Sequence, residues 1–214
     1  METDKIYHVM TKSIAGYVIF NNEKEYLRMK QLIRYYQVEK PPVKYSYFVT
    51  WQKSKNELVN EKNHQSKKKL VRIIAYCLMP THIHLVLQQL GKSGISIYMN
   101  RMLNSYTHYF NEKHWRKGPL WTGRFKRVLV ETDEQLIHLT RYIHLNPVTA
   151  YLVDRPELWQ FSSCNEYLAK RPTEDKVCEF KHILEIKPSE YKKFVDDQIS
   201  YQRELAAIKD LVLE

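Results

Sequence analysis

Two apolar segments separated by only two residues constrain the fold of this chain most strongly. VRIIAYCLM at residues 71–79 and HIHLVLQ at residues 82–88 are rich in β-branched and aliphatic side chains, and Pro80 and Thr81 stand between them. Runs of this length and composition are typical of strands, and so short a connection joins antiparallel neighbours. We therefore expect a tight antiparallel hairpin, or at least a closely adjacent strand pair.

The second of these strands carries two histidines, His82 and His84, on one face. Successive side chains of a strand point to opposite faces, so the two imidazoles share a side with Val86 and Gln88. The opposite face is aliphatic and must point into a core, which leaves the histidine face turned away from it. Two imidazoles at this spacing suit one metal ion with several open coordination positions. From the strand alone, packing or hydrogen bonding by one of them explains the pair equally well.

The flanking segments supply further strands and helices. Residues 5–13 alternate like a strand, and residues 21–37 place apolar side chains at helical spacing behind two asparagine caps. Residues 95–114 form a long apolar stripe typical of a core helix, and residues 126–131 are typical of a short strand. The order indicates an α+β fold of the split βαβ kind, an antiparallel sheet with helices packed on one side.

A further helix follows the last strand and carries a tyrosine and an asparagine four positions apart. Thr132 and Gln135 have capping-box spacing at its start, and Pro147 marks its expected end. Tyr142 and Asn146 share one face of this helix if it persists that far, although a residue before proline is biased away from helical geometry. A phenol can serve as a covalent nucleophile and an amide oxygen as a metal ligand. A lone helical tyrosine is more often a packing residue.

The chain of 214 residues is strongly basic, with 34 Lys and Arg against 24 Asp and Glu and a formal charge of +10 at pH 7. This balance indicates a polyanionic partner, with nucleic acid the first candidate and an anionic membrane surface the second. No run approaches the roughly 18 apolar residues of a membrane span, and the polar start lacks a secretion signal, so we expect a cytoplasmic protein. Cys77, Cys164 and Cys178 fit neither a disulfide framework nor a zinc site, and we expect them to be reduced.

Four segments together are far more specific than any one residue. YHVMTKS, AYCLMPTHIHLVLQ, GPLWTGRFKRVLVETDEQLIHLTRYIHLNPV and WQFSSCNEYL occur in this order along the chain. In these segments the chain resembles the single-tyrosine HUH transposases of the insertion-sequence type, and in particular the REP-associated tyrosine transposases. The resemblance covers residues 5–37 and 70–170, in round numbers, and is strongest around the two motifs.

This resemblance implies a metal-dependent nuclease and strand transferase that acts on single-stranded DNA, with a ferredoxin-like sheet carrying the histidine pair. It implies that His82 and His84 are the metal-binding pair, that Asn146 is the third ligand, and that Tyr142 is the nucleophile that forms a 5′-phosphotyrosine. The expected cofactor is a divalent metal, Mg²⁺ or Mn²⁺. The expected partner is DNA, single-stranded or folded into a hairpin such as a repetitive palindromic element, with no membrane partner.

The same resemblance suggests a division of the chain and leaves its assembly open. Residues 1–150 correspond to the HUH transposase-like catalytic domain, with an inserted charged segment at about 40–69, and residues 151–214 form a helical C-terminal extension. Compact relatives exchange helices within a homodimer, whereas REP-associated ones can be monomers. Whether Tyr142 serves the metal site of its own chain or that of a partner is therefore left open.

The loop before the tyrosine helix combines cations with aromatic rings, the mixture that holds single-stranded nucleic acid. A solvated loop whose rings pack against the sheet explains the same composition about equally well. The candidate DNA-binding residues are Arg116, Lys117, Trp121, Arg124, Lys126 and Arg127.

Three other interpretations of the motifs compete with a transposase. A domesticated DNA-binding protein that no longer cuts is the main alternative, and it would gain nothing obvious from keeping His82, His84, Tyr142 and Asn146. Replication initiators and relaxases share the two-histidine chemistry, but they usually add a helicase or a second tyrosine. A structural zinc site is disfavoured because no cysteine stands near the histidine pair.

Overall fold

The computed structural model describes residues 1–53 and 68–212. One antiparallel sheet has the strand order β2-β3-β1-β4. Its strands are β1 (Ile6–Lys12), β2 (Val71–Met79), β3 (His82–Gln89) and β4 (Lys126–Val130). The helices are α1 (Glu23–Tyr35), α2 (Tyr45–Lys53), α3 (Gly94–Lys113), α4 (Asp133–Thr149), α5 (Cys164–Tyr167), α6 (Pro188–Asp196) and α7 (Ile199–Val212).

The sheet is a split βαβ arrangement, as the order of elements predicted. β1 and β2 are joined through α1 but are separated in the sheet by β3, and β3 and β4 are joined through α3 but are separated by β1. The expected hairpin is present, because Met79 of β2 pairs directly with His82 of β3 across the two-residue turn. The predicted α+β fold is therefore confirmed.

One face of the sheet carries the larger core, against which α1 and α3 pack. Ile83, Leu85 and Leu87 of β3 are all buried in it, as the alternation along this strand predicted. Two buried tyrosines of α3 add specific bonds, because the hydroxyl of Tyr98 donates to the carbonyl of Ile33 and that of Tyr106 to the carbonyl of Ile19. These bonds satisfy the polar ends of rings that are otherwise fully surrounded by side chains.

The opposite face of the sheet is also covered, which corrects the expectation that helices pack on one side alone. α4 and the segment after it close over this face in a second apolar cluster, which includes Ala75 and Cys77 of β2 and Val86 of β3. The reason is that both faces of β2 are apolar, so each requires a covering layer. The histidine face of β3 consequently lies between the sheet and α4, with His84 buried and His82 half-buried.

The chain after α4 also closes the outer edge of β2. The amide of Leu78 donates to the carbonyl of Phe161, the amide of Ser163 donates to the carbonyl of Tyr76, and Glu179 bonds to Ile73 farther along. WQFSSCNEYL is thus a packing segment, because it satisfies backbone groups that an edge strand leaves unpaired. The division of the chain at residue 150 stays a prediction.

The charged insertion expected at about 40–69 lies partly outside the described residues, since residues 54–67 are not described. Its described beginning contains α2. Among the helices described, none combines the length and the apolar character needed to cross a membrane. The three cysteines are free thiols, as expected.

Candidate functional site

The two histidines of β3 lie side by side on the buried face that α4 covers. The centroids of the His82 and His84 rings are 5.0 Å apart, with their planes nearly perpendicular. His84 is only 3% exposed, whereas His82 is half-buried and its Nδ1 lies 3.1 Å from the hydroxyl of Thr81. The pair is thus held by the strand register and by the turn that precedes it.

Both imidazoles are neutral at neutral pH. Burial, with a smaller effect of the Lys12 charge, lowers the pKa of His82 to about 4. Burial, with the neighbouring His82, His8 and Lys12, lowers the pKa of His84 to about 3. Neutral imidazole is the form that binds metal ions, so neither side chain must first lose a proton.

Tyr142 of α4 lies against this pair within the same chain. Its ring centroid is 5.9 Å from that of His84, and the two ring planes are perpendicular. The side chain is 45% exposed, so it is accessible to solvent while it also contacts the imidazole. Burial raises the pKa of the Tyr142 phenol, and the hydroxyl therefore needs activation before it can attack.

Asn146 shares the helical face of Tyr142 because α4 continues to Thr149, two residues beyond the predicted end at Pro147. Proline is tolerated in this last turn because it costs only one backbone hydrogen bond near the helix terminus, where the amide of Ala150 still reaches the carbonyl of Asn146. The backbone at Asn146 is therefore helical, although a residue that precedes proline is biased away from this geometry. One turn along one face separates the candidate nucleophile from the candidate ligand.

The donor set around the pair fits a divalent ion only if an amide completes it. Within residues 1–53 and 68–212, no group of three His, Cys, Asp or Glu side chains could hold a metal ion. The Nδ2 atom of half-buried Asn146 is shielded from solvent and has no hydrogen-bond partner among the described residues. A half-turn of this amide would place Oδ1, a metal ligand, in the same position. The unpartnered amide and the neutral imidazoles fit the predicted ligand set of His82, His84 and Asn146.

His144 lies on α4 itself and anchors this helix from its buried side. It is fully buried, with Nδ1 2.6 Å from the hydroxyl of Tyr191 and Nε2 2.7 Å from the hydroxyl of Ser163. The hydroxyl of Tyr191 in turn donates to Thr140. This network connects α4, α6 and the segment that covers β2, so it sets the height of Tyr142 above the sheet. The sequence offered only a weak signal, a polar residue on the apolar face of a helix.

Unfolding free energy should fall steeply between pH 7 and pH 5 in the metal-free protein. Burial lowers the pKa of His144 to about 3, as it does with its neighbours for His84, whereas unfolded histidine titrates near about 6.5. As the pH falls, the unfolded chain takes up protons that the folded chain does not, so each residue contributes about 1.4 kcal/mol of destabilisation per pH unit below that value. Denaturant unfolding in EDTA should show a loss of about 3–4 kcal/mol from these two residues together, and His82, whose pKa is lowered to about 4, adds a further loss in the same direction.

A matched control for this measurement is His108→Gln, because His108 lies exposed on α3. This variant should keep the wild-type dependence on pH, whereas His144→Gln should weaken it by removing one of the contributing imidazoles. Equal unfolding free energies at pH 7 and pH 5 in the wild type would contradict the prediction.

Four of the six predicted DNA-binding residues are exposed. Lys117, Arg124, Lys126 and Arg127 all present their side chains to solvent on or just before β4. Lys126 pairs with Met10, which pairs with His84, so Lys126 faces the same side of the sheet as the histidines. The loop therefore lines one approach to the candidate site.

The remaining two residues of this set have partners within the chain. Arg116 donates to the side chain of Asn111 and to the carbonyl of Pro119, so it holds the loop together. Trp121 is half-buried and its indole donates to the hydroxyl of Thr107. Trp115, another aromatic ring of the same loop, is the one that stands free, with 96% of its surface exposed.

Sequence reasoning also missed a cation beside the histidine pair. Lys12 is the last residue of β1 and pairs directly with His82, so the two side chains share a face. Lys12 is exposed, and its charge contributes to the low pKa of both His82 and His84. A lysine at the end of an alternating strand gives no signal in the sequence, because its partner is 70 residues away.

Comparison with known proteins is consistent with this fold. Residues 35–146, slightly more than half of the chain, match the family model described as "Transposase IS200 like". The chain belongs to this family of IS200-like transposases. The matched region contains both histidines of β3, Tyr142 and Asn146.

Two individual proteins are similar to the chain. A putative REP-associated tyrosine transposase of Haemophilus influenzae is 28% identical over 100 residues, which are 42% of this chain and 57% of that protein. The chain thus aligns with little more than half the length of this relative. A solved structure described as the REP-associated tyrosine transposase bound to a REP hairpin matches with a TM-score of 0.54 and 15% sequence identity. The match covers 80% of this chain and 84% of that chain. At this identity the structural match establishes the fold alone.

Proposed function

We propose that this protein cleaves and rejoins single-stranded DNA through a covalent 5′-phosphotyrosine on Tyr142. The observation that carries the proposal is the perpendicular contact of the Tyr142 ring with His84, at 5.9 Å, within one chain. It brings a partly exposed nucleophile to two neutral imidazoles that are free to bind a metal ion. The proposed nucleophile and metal ligands lie together within one polypeptide, which supports a site built from a single chain.

A divalent metal, Mg²⁺ or Mn²⁺, would be held by His82, His84 and Asn146. Where it is bound, such an ion offsets charge on the non-bridging phosphate oxygens and on the leaving 3′ oxygen. Mixed imidazole and amide ligation is compatible with either ion, since imidazole favours manganese and cellular abundance favours magnesium. The burial of the pair supports this role, because it keeps both ligands unprotonated.

Tyr142 acts as the nucleophile in this proposal. Its phenolic oxygen forms a bond to the phosphorus while the bond from phosphorus to the 3′ oxygen breaks, and the phenolic proton is lost as the 3′ hydroxyl gains one. The new phosphodiester retains the energy of the old one, so the 3′ hydroxyl of another strand can reverse the step without ATP. This exchange is strand transfer, the step that a transposase requires.

The DNA strand would approach across the sheet beside the histidine pair. Lys12 and Lys126 are exposed on the same face as His82 and His84, and Arg124 and Lys117 continue the positive charge along the loop. Phosphates favour such a row of free cations, and the exposed ring of Trp115 offers a stacking surface for a base. The hairpin bound in the structure of similar fold guides the choice of substrate, a single strand that folds into a hairpin.

The experiment that tests the proposal is a search for a covalent complex. The full-length protein is incubated with end-labelled single-stranded DNA from its own genomic flanks and Mn²⁺ or Mg²⁺, and products are separated in SDS. We expect a labelled band that migrates with the protein and that is absent when EDTA replaces the metal. Tight DNA binding without any adduct, for either metal and for every flank, would instead favour a DNA-binding protein that no longer cuts.

A further inference from the structure

A third histidine, His8 of β1, lies directly beside the pair on β3. Its Nε2 is 2.9 Å from the Nδ1 of His84, and the two rings are nearly parallel with centroids 5.2 Å apart. The register explains the contact, because His8 pairs with Val86 and Met10 pairs with His84, which makes His8 the diagonal neighbour of His84 on the same face. His8 is half-buried, and this burial lowers its pKa.

The contact between the two rings needs one shared proton. Two neutral imidazole nitrogens at this distance form a hydrogen bond only if one carries the proton and the other accepts it. If His84 carries a proton on Nδ1, its Nε2 is unprotonated and free to bind a metal. If His84 carries the proton on Nε2, that nitrogen cannot be a ligand. The direction of this one hydrogen bond therefore decides whether Nε2 of His84 can bind a metal ion.

We infer that His8 is a positioning residue that accepts the Nδ1–H bond of His84 and so holds His84 in the tautomer whose Nε2 binds the metal. The inference rests on the proposed function, because it assigns a purpose to one ligand of that site. Ligating histidines commonly donate their second ring nitrogen to such a partner, and loss of the partner typically costs about 10–100-fold in metal affinity. His8 differs from the usual carboxylate or carbonyl partner in being an imidazole that must itself hold its proton on Nδ1.

A direct metal-binding role for His8 is disfavoured by the arrangement of the three rings. The described part of the chain holds no three His, Cys, Asp or Glu side chains that converge on one ion position, and His8, His82 and His84 are among the residues that this statement covers. The nearly parallel His8 and His84 rings instead approach through their nitrogens, with Nε2 of His8 2.9 Å from Nδ1 of His84. Their short contact is therefore a hydrogen bond between the two rings.

Two substitutions of His8 and one matched control test the inference. His8→Leu removes the acceptor, His8→Gln retains one in its side-chain oxygen, and Met10→Leu changes a neighbour on the same face without changing any polar group. The first readout is the nitrogen chemical shifts of the His84 ring in metal-free protein, which report the tautomer. The second is Mn²⁺ affinity, measured by electron paramagnetic resonance.

We expect wild type, Met10→Leu and His8→Gln to keep the proton of His84 on Nδ1, and His8→Leu to lose this preference. Mn²⁺ affinity should fall by about 10–100-fold in His8→Leu and be largely restored in His8→Gln. An unchanged tautomer and unchanged affinity in His8→Leu would overturn the inference. An equal loss of affinity in both His8 variants, with the tautomer unchanged, would make His8 a direct ligand and would also overturn it.

The two readouts separate this inference from the proposed function. A wild-type protein that binds no Mn²⁺ would contradict the proposed metal site. The tautomer of His84 is measured without metal, so it would still decide whether His8 fixes the proton. Thermal unfolding of each variant shows whether a lost signal reflects a lost fold. His8→Gln keeps a polar side chain of similar reach, so it tests the hydrogen bond with less risk to the fold.

Discussion

Tyr142→Phe should abolish the covalent complex between protein and DNA while leaving DNA affinity close to that of the wild type. The substitution removes only the phenolic oxygen, which is the atom that would attack phosphorus. The ring that packs against His84 remains, and Tyr142 is 45% exposed and does not belong to either buried core cluster. Loss of the nucleophile in covalent catalysis typically lowers the rate by on the order of 10³-fold or more. The adduct should therefore fall to the background of the assay.

A neighbouring tyrosine provides a matched control for this loss. Tyr151 follows the end of α4 and is 61% exposed, so it offers a second accessible phenol close to the proposed nucleophile. Tyr151→Phe should form the adduct at the wild-type level. An adduct that persists in Tyr142→Phe and disappears in Tyr151→Phe would move the nucleophile to Tyr151. The affinity of both variants for the same labelled strand, measured without metal, shows whether substrate binding is intact.

The strands of this protein follow from its sequence because their signals are local. Alternation along residues 82–88 placed both imidazoles on one face of β3, and the two-residue turn before His82 fixed the pairing with β2. The same local rules were wrong that α4 ends at Pro147, since the helix continues to Thr149. These rules describe an isolated chain, whereas the packing of α4 onto β2 offsets the backbone hydrogen bond that the proline removes from the last turn. Periodicity thus locates elements well and their ends less well.

The supporting residues of the site could not be found in this way, because their partners are distant in sequence. His8 meets His84 across 76 residues, and His144 meets Tyr191 across 47. Before the strand order is known, His8 is simply a polar residue in an alternating strand. The resemblance to a family assigned His82, His84, Tyr142 and Asn146 by motif, whereas only the folded sheet reveals what holds these side chains in position.

His84→Ala should lower metal-dependent cleavage by about 10³-fold, because Lewis-acid stabilisation by a bound ion is worth several kcal/mol and each 1.4 kcal/mol is a factor of ten. The substitution deletes a neutral, buried imidazole, the proposed ligand, whose pKa lies far below working pH, so the loss should be the same at pH 6.5 and pH 8.

The measurement is adduct formation against Mn²⁺ concentration, with calorimetry for Mn²⁺ binding. His82→Ala should act in the same direction. His138→Ala is the control, since His138 is exposed on the same helix as Tyr142 and bonds to Arg141. Wild-type cleavage by His84→Ala would mean that the imidazole pair does not hold the metal. In that case the contact between His84 and Tyr142 would serve only to position the tyrosine. DNA cleavage would then depend on other side chains around the Tyr142 ring. The nearest candidates are Lys12, by strand register, and Asn146, by helical spacing.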